Sequence, residues 1–96
     1  MKQISTLKAP KAVGPYSQAI EIDGLVFVSG QIPINPETGT IDAKNIEEET
    51  HQALKNVGAI LAQAGLSFDN VVKSTVFIKN INDFGKINQI TIIRFS

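Results

Sequence analysis

A chain of 96 residues is one small domain. Its nine Lys+Arg balance nine Asp+Glu, and 43% of residues are apolar against 19% charged, which fits a globular fold and argues against both disorder and a nucleic-acid binder with its basic excess. The absence of cysteine excludes disulfides, thiolate metal sites and cysteine nucleophiles and suits a cytoplasmic chain, and neither a signal peptide nor a membrane span is visible.

Residues 2–6 read as a short first strand. Residues 17–22 and 25–29 flank Asp23-Gly24, the signature of a two-residue hairpin, whose type I′ turn needs positive φ at both positions. That register pairs Ile22 with Leu25, Ile20 with Phe27 and Gln18 with Ser29. Ile20, Ile22, Leu25 and Phe27 therefore share one face. Val26 and Val28 make the other face apolar as well, the pattern of a strand covered on both sides. Asn35-Pro36-Glu37-Thr38-Gly39-Thr40 is a turn that lacks the glycine spacing and lysine of a phosphate loop.

Residues 46–64 carry Ile46, Thr50, Ala53, Leu54, Val57, Ile60, Leu61 and Ala64 at helical spacing. Asn45 is the expected N-cap with Glu48 as its capping-box partner, and Gly65 is the expected C′ residue. Residues 71–78 are β-branched and read as a further strand. Asn82 or Asp83 caps a second helix running to about residue 93. Two helices cover one face of such a sheet. A second copy of the chain is the simplest cover for the other, with a loop over Val26 and Val28 as the alternative.

Chemistry-bearing residues are few. Gly14-Pro15-Tyr16-Ser17-Gln18-Ala19 precedes the hairpin, and Ser29-Gly30-Gln31 ends its second strand. The register brings these two segments together, and a glycine there lets a ligand approach the backbone closely. A turn and a strand end are the simpler readings of each segment alone. His51, the single histidine, shares the polar face of the first helix with Glu47 and Lys55 and reads as a solvated side chain; no ligand set for a metal surrounds it. Arg94, the single arginine, stands near the end of the chain.

Taken in order, these segments resemble the Rid family (RidA/YjgF), the reactive-intermediate imine deaminases. The likeness runs through Gly14–Ala19, Val26-Phe27-Val28-Ser29-Gly30-Gln31-Ile32-Pro33, Glu48–Val57, Ala64-Gly65-Leu66, Val71–Ile78 and Asn82-Asp83-Phe84. The resemblance implies an α+β, chorismate-mutase-like fold, a mixed sheet with two helices on one face, within a single domain over residues 1–96. It implies a homotrimer with clefts between subunits. It also implies hydrolysis of 2-aminoacrylate and related imines or enamines, released by pyridoxal-phosphate dehydratases, to 2-oxo acids and ammonia, without cofactor or metal. Older labels for the family are translation inhibitor and endoribonuclease. By position, Tyr16, Ser29, Gly30 and Asn88 are the implied substrate-binding residues, and no catalytic residue is assigned. Family members continue into two further strands, one with an Arg that clamps the substrate carboxylate and one with a Glu that positions water. This chain reaches Ser96 before either, and Gln89 to Ser96 departs from the family pattern. The sequence thus predicts a family fold lacking the last two strands and a poor deaminase. A non-catalytic ligand-binding or regulatory protein is the second reading.

Overall fold

The computed structural model describes residues 1–12, 17–76 and 80–88. Three antiparallel strands, β1 (Lys2–Ile4), β2 (Ala19–Ile22) and β3 (Leu25–Val28), form a sheet in the order β1-β2-β3. The turn between β2 and β3 is the predicted one: Asp23 and Gly24 have φ of 50° and 80°. The register matches as well, with Ile22 opposite Leu25 and Ile20 opposite Phe27, and Ser29 N–H donates to the Gln18 carbonyl at 2.9 Å.

The helix α1 (Ile46–Gln63) starts and stops where its caps dictate. Asn45 Oδ1 accepts from the Glu48 N–H at 2.8 Å, while Glu48 Oε1 reaches back one residue beyond the cap to the Lys44 N–H at 3.2 Å. At the other end Gly65, at φ 77°, completes a Schellman motif: Leu66 N–H donates to the Leu61 carbonyl and Gly65 N–H to that of Ala62. Glu47, Glu48 and Glu49 occupy the first turn, where the helix dipole favours negative charge. Replacing the cap, Asn45→Ala, is expected to cost about 1 kcal/mol, read as a lower urea midpoint with unchanged slope.

One side of the sheet packs on α1. Ile4, Ala9, Ala19 and Ile60 form the buried cluster, and Val26, Val28, Ala59 and Ala64 pack against it. The helix therefore covers the valine face of β3, where the small Ala19, Ala59 and Ala64 permit close approach. This reverses the expectation that Val26 and Val28 belong to the face left over for a loop or a second copy. The face left open carries Ile22, Leu25 and Phe27, at 41%, 57% and 60% exposure.

One further expectation is corrected. The predicted strand over 71–78 forms no ladder among the described residues: 71–76 pair with none of the three strands, and Phe77 and Ile78 lie outside the described residues. The three described strands are antiparallel to one another. Asn80 caps a 3₁₀ turn, and the helical residues begin directly after Asp83, one of the two expected caps. Asn80 Oδ1 accepts from the Asn82 N–H at 3.0 Å, a 3₁₀ turn runs Ile81–Asp83, and 84–88 are helical. The predicted continuation to residue 93 falls outside the described residues. Lys86 and Glu47, 3.5 Å apart and largely exposed, link this helix to the start of α1, a pair that adds little stability.

Candidate functional site

Where β2 begins and β3 ends, the chain opens into a cleft of about 180 Å³. Its walls come from three stretches: Pro10, Lys11 and Ala12; Ser17 and Gln18 with Ser29 and Gly30; and Gln31, Ile32 and Ile34. The hairpin register makes this convergence unavoidable, since Gln18 and Ser29 are ladder neighbours.

Buried carboxamides hold two of the walls. Gln18 is almost fully buried. Its Oε1 accepts from the Thr6 N–H at 2.6 Å, and its Nε2 donates to the carbonyls of Thr6, Ala9 and Pro10 at 3.0, 3.2 and 2.7 Å. A strand residue thereby fixes a loop that has no ladder of its own. Asn56, on α1, has no exposed surface. Its Nδ2 donates to the Ile32 and Ile34 carbonyls at 3.1 and 2.9 Å, and its Oδ1 accepts from Gln52 Nε2 at 2.9 Å. Each amide satisfies backbone groups that an irregular segment would otherwise leave unpaired.

Ser29 Oγ donates to the Ser17 carbonyl at 2.6 Å, so its hydroxyl proton is committed and its oxygen offers acceptor capacity to the cleft. Gly30 has open space around the position a Cβ would take, and it leaves room for a ligand against the backbone. Of the sequence-predicted site residues, Ser29 and Gly30 thus stand together in the cleft. Tyr16 lies outside the described residues. Asn88 is exposed at the end of the helical segment 84–88 and does not line this cleft of its own chain. Lys11 and Asn56 were not singled out from sequence. Lys11 gives no periodic or motif signal, and Asn56 shows only as a polar residue among the apolar positions of a helix.

A second hollow of about 170 Å³ lies between Pro33, Asp42, Ala43, Glu48 and Gln52. Its two carboxylates are already engaged. Glu48 caps α1, and Asp42 accepts from the Thr40 and Thr38 hydroxyls at 2.6 and 2.8 Å. Those hydroxyl donors, Thr40 foremost, hold the Asp42 carboxyl below its ordinary range. No cluster of three or more metal-ligating His, Cys, Asp or Glu side chains occurs among the described residues, and no helix among them is long and apolar enough to cross a membrane.

The family model described as endoribonuclease L-PSP matches residues 6–95. Among curated relatives, the 2-iminobutanoate/2-iminopropanoate deaminase of Mus musculus is 51% identical over 89 residues, 93% of this chain and 66% of that one. Its counterpart in Homo sapiens is 52% identical over 87 residues, 91% and 64% of the two chains. The chain thus spans slightly less than two thirds of the length of these relatives. Among solved structures, YyfA of Yersinia pestis, a protein of the conserved Rid family, superposes with a TM-score of 0.95 at 49% identity, over 99% of this chain and 75% of that one. TdcF of E. coli, solved with bound serine, gives a TM-score of 0.93 at 44% identity, over 99% and 74%. With the α+β fold, the ordered motifs and these relatives in agreement, the chain belongs to the Rid family, the family of the endoribonuclease L-PSP model.

Proposed function

We propose that the cleft binds a small 2-imino or 2-oxo acid and that the chain's role is imine deamination. In that reaction water adds to the C=N carbon of a 2-imino acid and ammonia departs, leaving a 2-oxo acid. The observation that carries this reading is the identity of about one half to proteins named for that reaction, over a stretch that includes every residue of the cleft. The size of the cleft supports it: about 180 Å³ suits a molecule of a few heavy atoms and is well below the volume of a nucleotide or drug-sized pocket. Ser29 and Gly30 would contact the ligand, and the family resemblance adds Tyr16 to them. Asn88 would contribute to the cleft of a neighbouring subunit. The exposed Ile22, Leu25 and Phe27 support assembly, and a homotrimer is the form we propose. The reaction needs no cofactor or metal, and a cysteine-free chain suits the reducing cytoplasm.

The test is the appearance of 2-oxobutanoate from 2-iminobutanoate generated in place by an amino-acid oxidase. A slow rate, above spontaneous hydrolysis and scaling with protein concentration, is expected of a poor deaminase. Binding of 2-oxobutanoate without any acceleration would favour a ligand-binding or regulatory protein, and neither binding nor acceleration would overturn the reading.

A further inference from the structure

Gln18 ties two walls of the cleft to each other. Its main chain holds one of them: the Gln18 carbonyl accepts from the Ser29 N–H at 2.9 Å, beside the 2.6 Å bond from Ser29 Oγ to the Ser17 carbonyl. Its side chain holds the other. Segment 5–12 belongs to no strand or helix, and the Gln18 carboxamide stands in for a ladder there. Its Oε1 and Nε2 meet the N–H and carbonyl of Thr6, the two groups that a paired strand would satisfy, and Nε2 also reaches the Ala9 and Pro10 carbonyls. Nε2 carries two hydrogens and faces three carbonyls, so it has no donor left for a ligand. Pro10, Lys11 and Ala12 line the cleft together with Ser29 and Gly30, and that wall starts at the Pro10 carbonyl held by this amide.

We propose that Gln18 is a positioning residue for ligand binding: its carboxamide holds segment 6–12 against the end of the hairpin, and affinity in the cleft depends on that hold. The inference rests on the reading of the cleft as the binding site of a small 2-oxo or 2-imino acid and adds what keeps that site in shape. A protein whose segment stands open part of the time binds with an affinity reduced by the closed fraction. By reciprocity, a bound ligand favours the closed segment. The hydrogen-bond partners of the carboxamide are neutral backbone groups, and the charged residues of the segment, Lys8 and Lys11, are exposed.

The experiment measures 2-oxobutanoate binding by calorimetry across a pH series for the whole chain, Gln18→Met and Gln18→Glu, with circular dichroism to confirm the fold. Gln18→Met keeps the length of the side chain without its hydrogen bonds. It should weaken binding about tenfold relative to the parent at every pH, with the number of sites unchanged. Gln18→Glu keeps the shape. Its protonated form can accept from Thr6 and donate to one carbonyl; its ionised form faces carbonyl oxygens with no proton to share, and burial raises its pKa. Its affinity should therefore stay within about threefold of the parent in acid and fall to the Gln18→Met value or below as pH rises. A second readout uses the unaltered chain. The Thr6 amide should exchange with solvent faster than that of the fully buried Ile60, and 2-oxobutanoate at about ten times its dissociation constant should slow Thr6 about tenfold. Parent-like affinity in both variants, or a loss in Gln18→Glu that ignores pH, would overturn the role of Gln18 while leaving the cleft as the site. So would a Thr6 amide that exchanges as slowly as Ile60 or ignores the ligand, and this readout decides the matter if the variants do not fold. No binding of 2-oxobutanoate by the unaltered chain would overturn the reading of the cleft, and the role of Gln18 with it.

Discussion

Asn56→Leu should destabilise the protein by about 2–4 kcal/mol, because it leaves the Ile32 and Ile34 carbonyls without their donors where each buried unsatisfied group costs about 1–3 kcal/mol. Against the 5–15 kcal/mol that typically stabilises a domain, roughly, this is a large fraction. Equilibrium urea unfolding would record it as a lower midpoint. Asn56→Asp separates the hydrogen bonds from side-chain volume. An ionised carboxylate would face two carbonyl oxygens from a fully buried position, so burial and repulsion would raise its pKa in the folded state. A group whose folded pKa is raised binds protons more tightly when folded, so stability falls as pH rises. The Asn56→Asp protein should therefore be closest to the parent in acid and lose stability progressively above the ordinary carboxylate range. A pH-independent penalty, or a Leu variant as stable as the parent, would show that the wall at 32–34 is held by something other than this amide.

Phe27→Asp should abolish self-association. Leu25 and Phe27 are more than half exposed on a face that no element of the described chain covers. Burying a large apolar side chain contributes about 1.5–3 kcal/mol, and placing an unpaired charge there in its stead adds a desolvation cost. A change of at least about 3 kcal/mol per subunit, or roughly two orders of magnitude in the association constant, is expected. Sedimentation velocity across a micromolar concentration series should show the parent as a trimer and the variant as a monomer. Ile41→Asp is the control. Ile41 is comparably exposed but lies in the connection before α1, and its replacement should leave assembly unchanged. If the parent sediments as a monomer, or if both variants behave alike, the open sheet face is not the contact surface.

The local elements followed from short stretches of sequence because their causes are local. Asp23-Gly24 specifies its turn through the positive φ that both residues tolerate, and the turn in turn specifies the register that brings Ser17 and Gln18 to Ser29 and Gly30. Asn45, Glu48 and Gly65 bound α1 through groups within a few residues of its ends. Half of the candidate site was legible for the same reason: a hairpin register is a distance constraint written in sequence. The tertiary structure decided the rest. Both faces of β3 are apolar, and alternation carries no sign, so nothing in the pattern says that α1 takes Val26 and Val28 and leaves Leu25 and Phe27 outside; the packing of Ala19 against Ile60 does. A β-branched run such as 71–76 has strand propensity, but a strand exists only with a partner, and none of the described strands provides one. Gln18 and Asn56 look alike in sequence to any polar residue in a strand or helix. Their part in the cleft arises from bonds across 8 to 12 and 22 to 24 positions of chain, which close only once the sheet and helix have met.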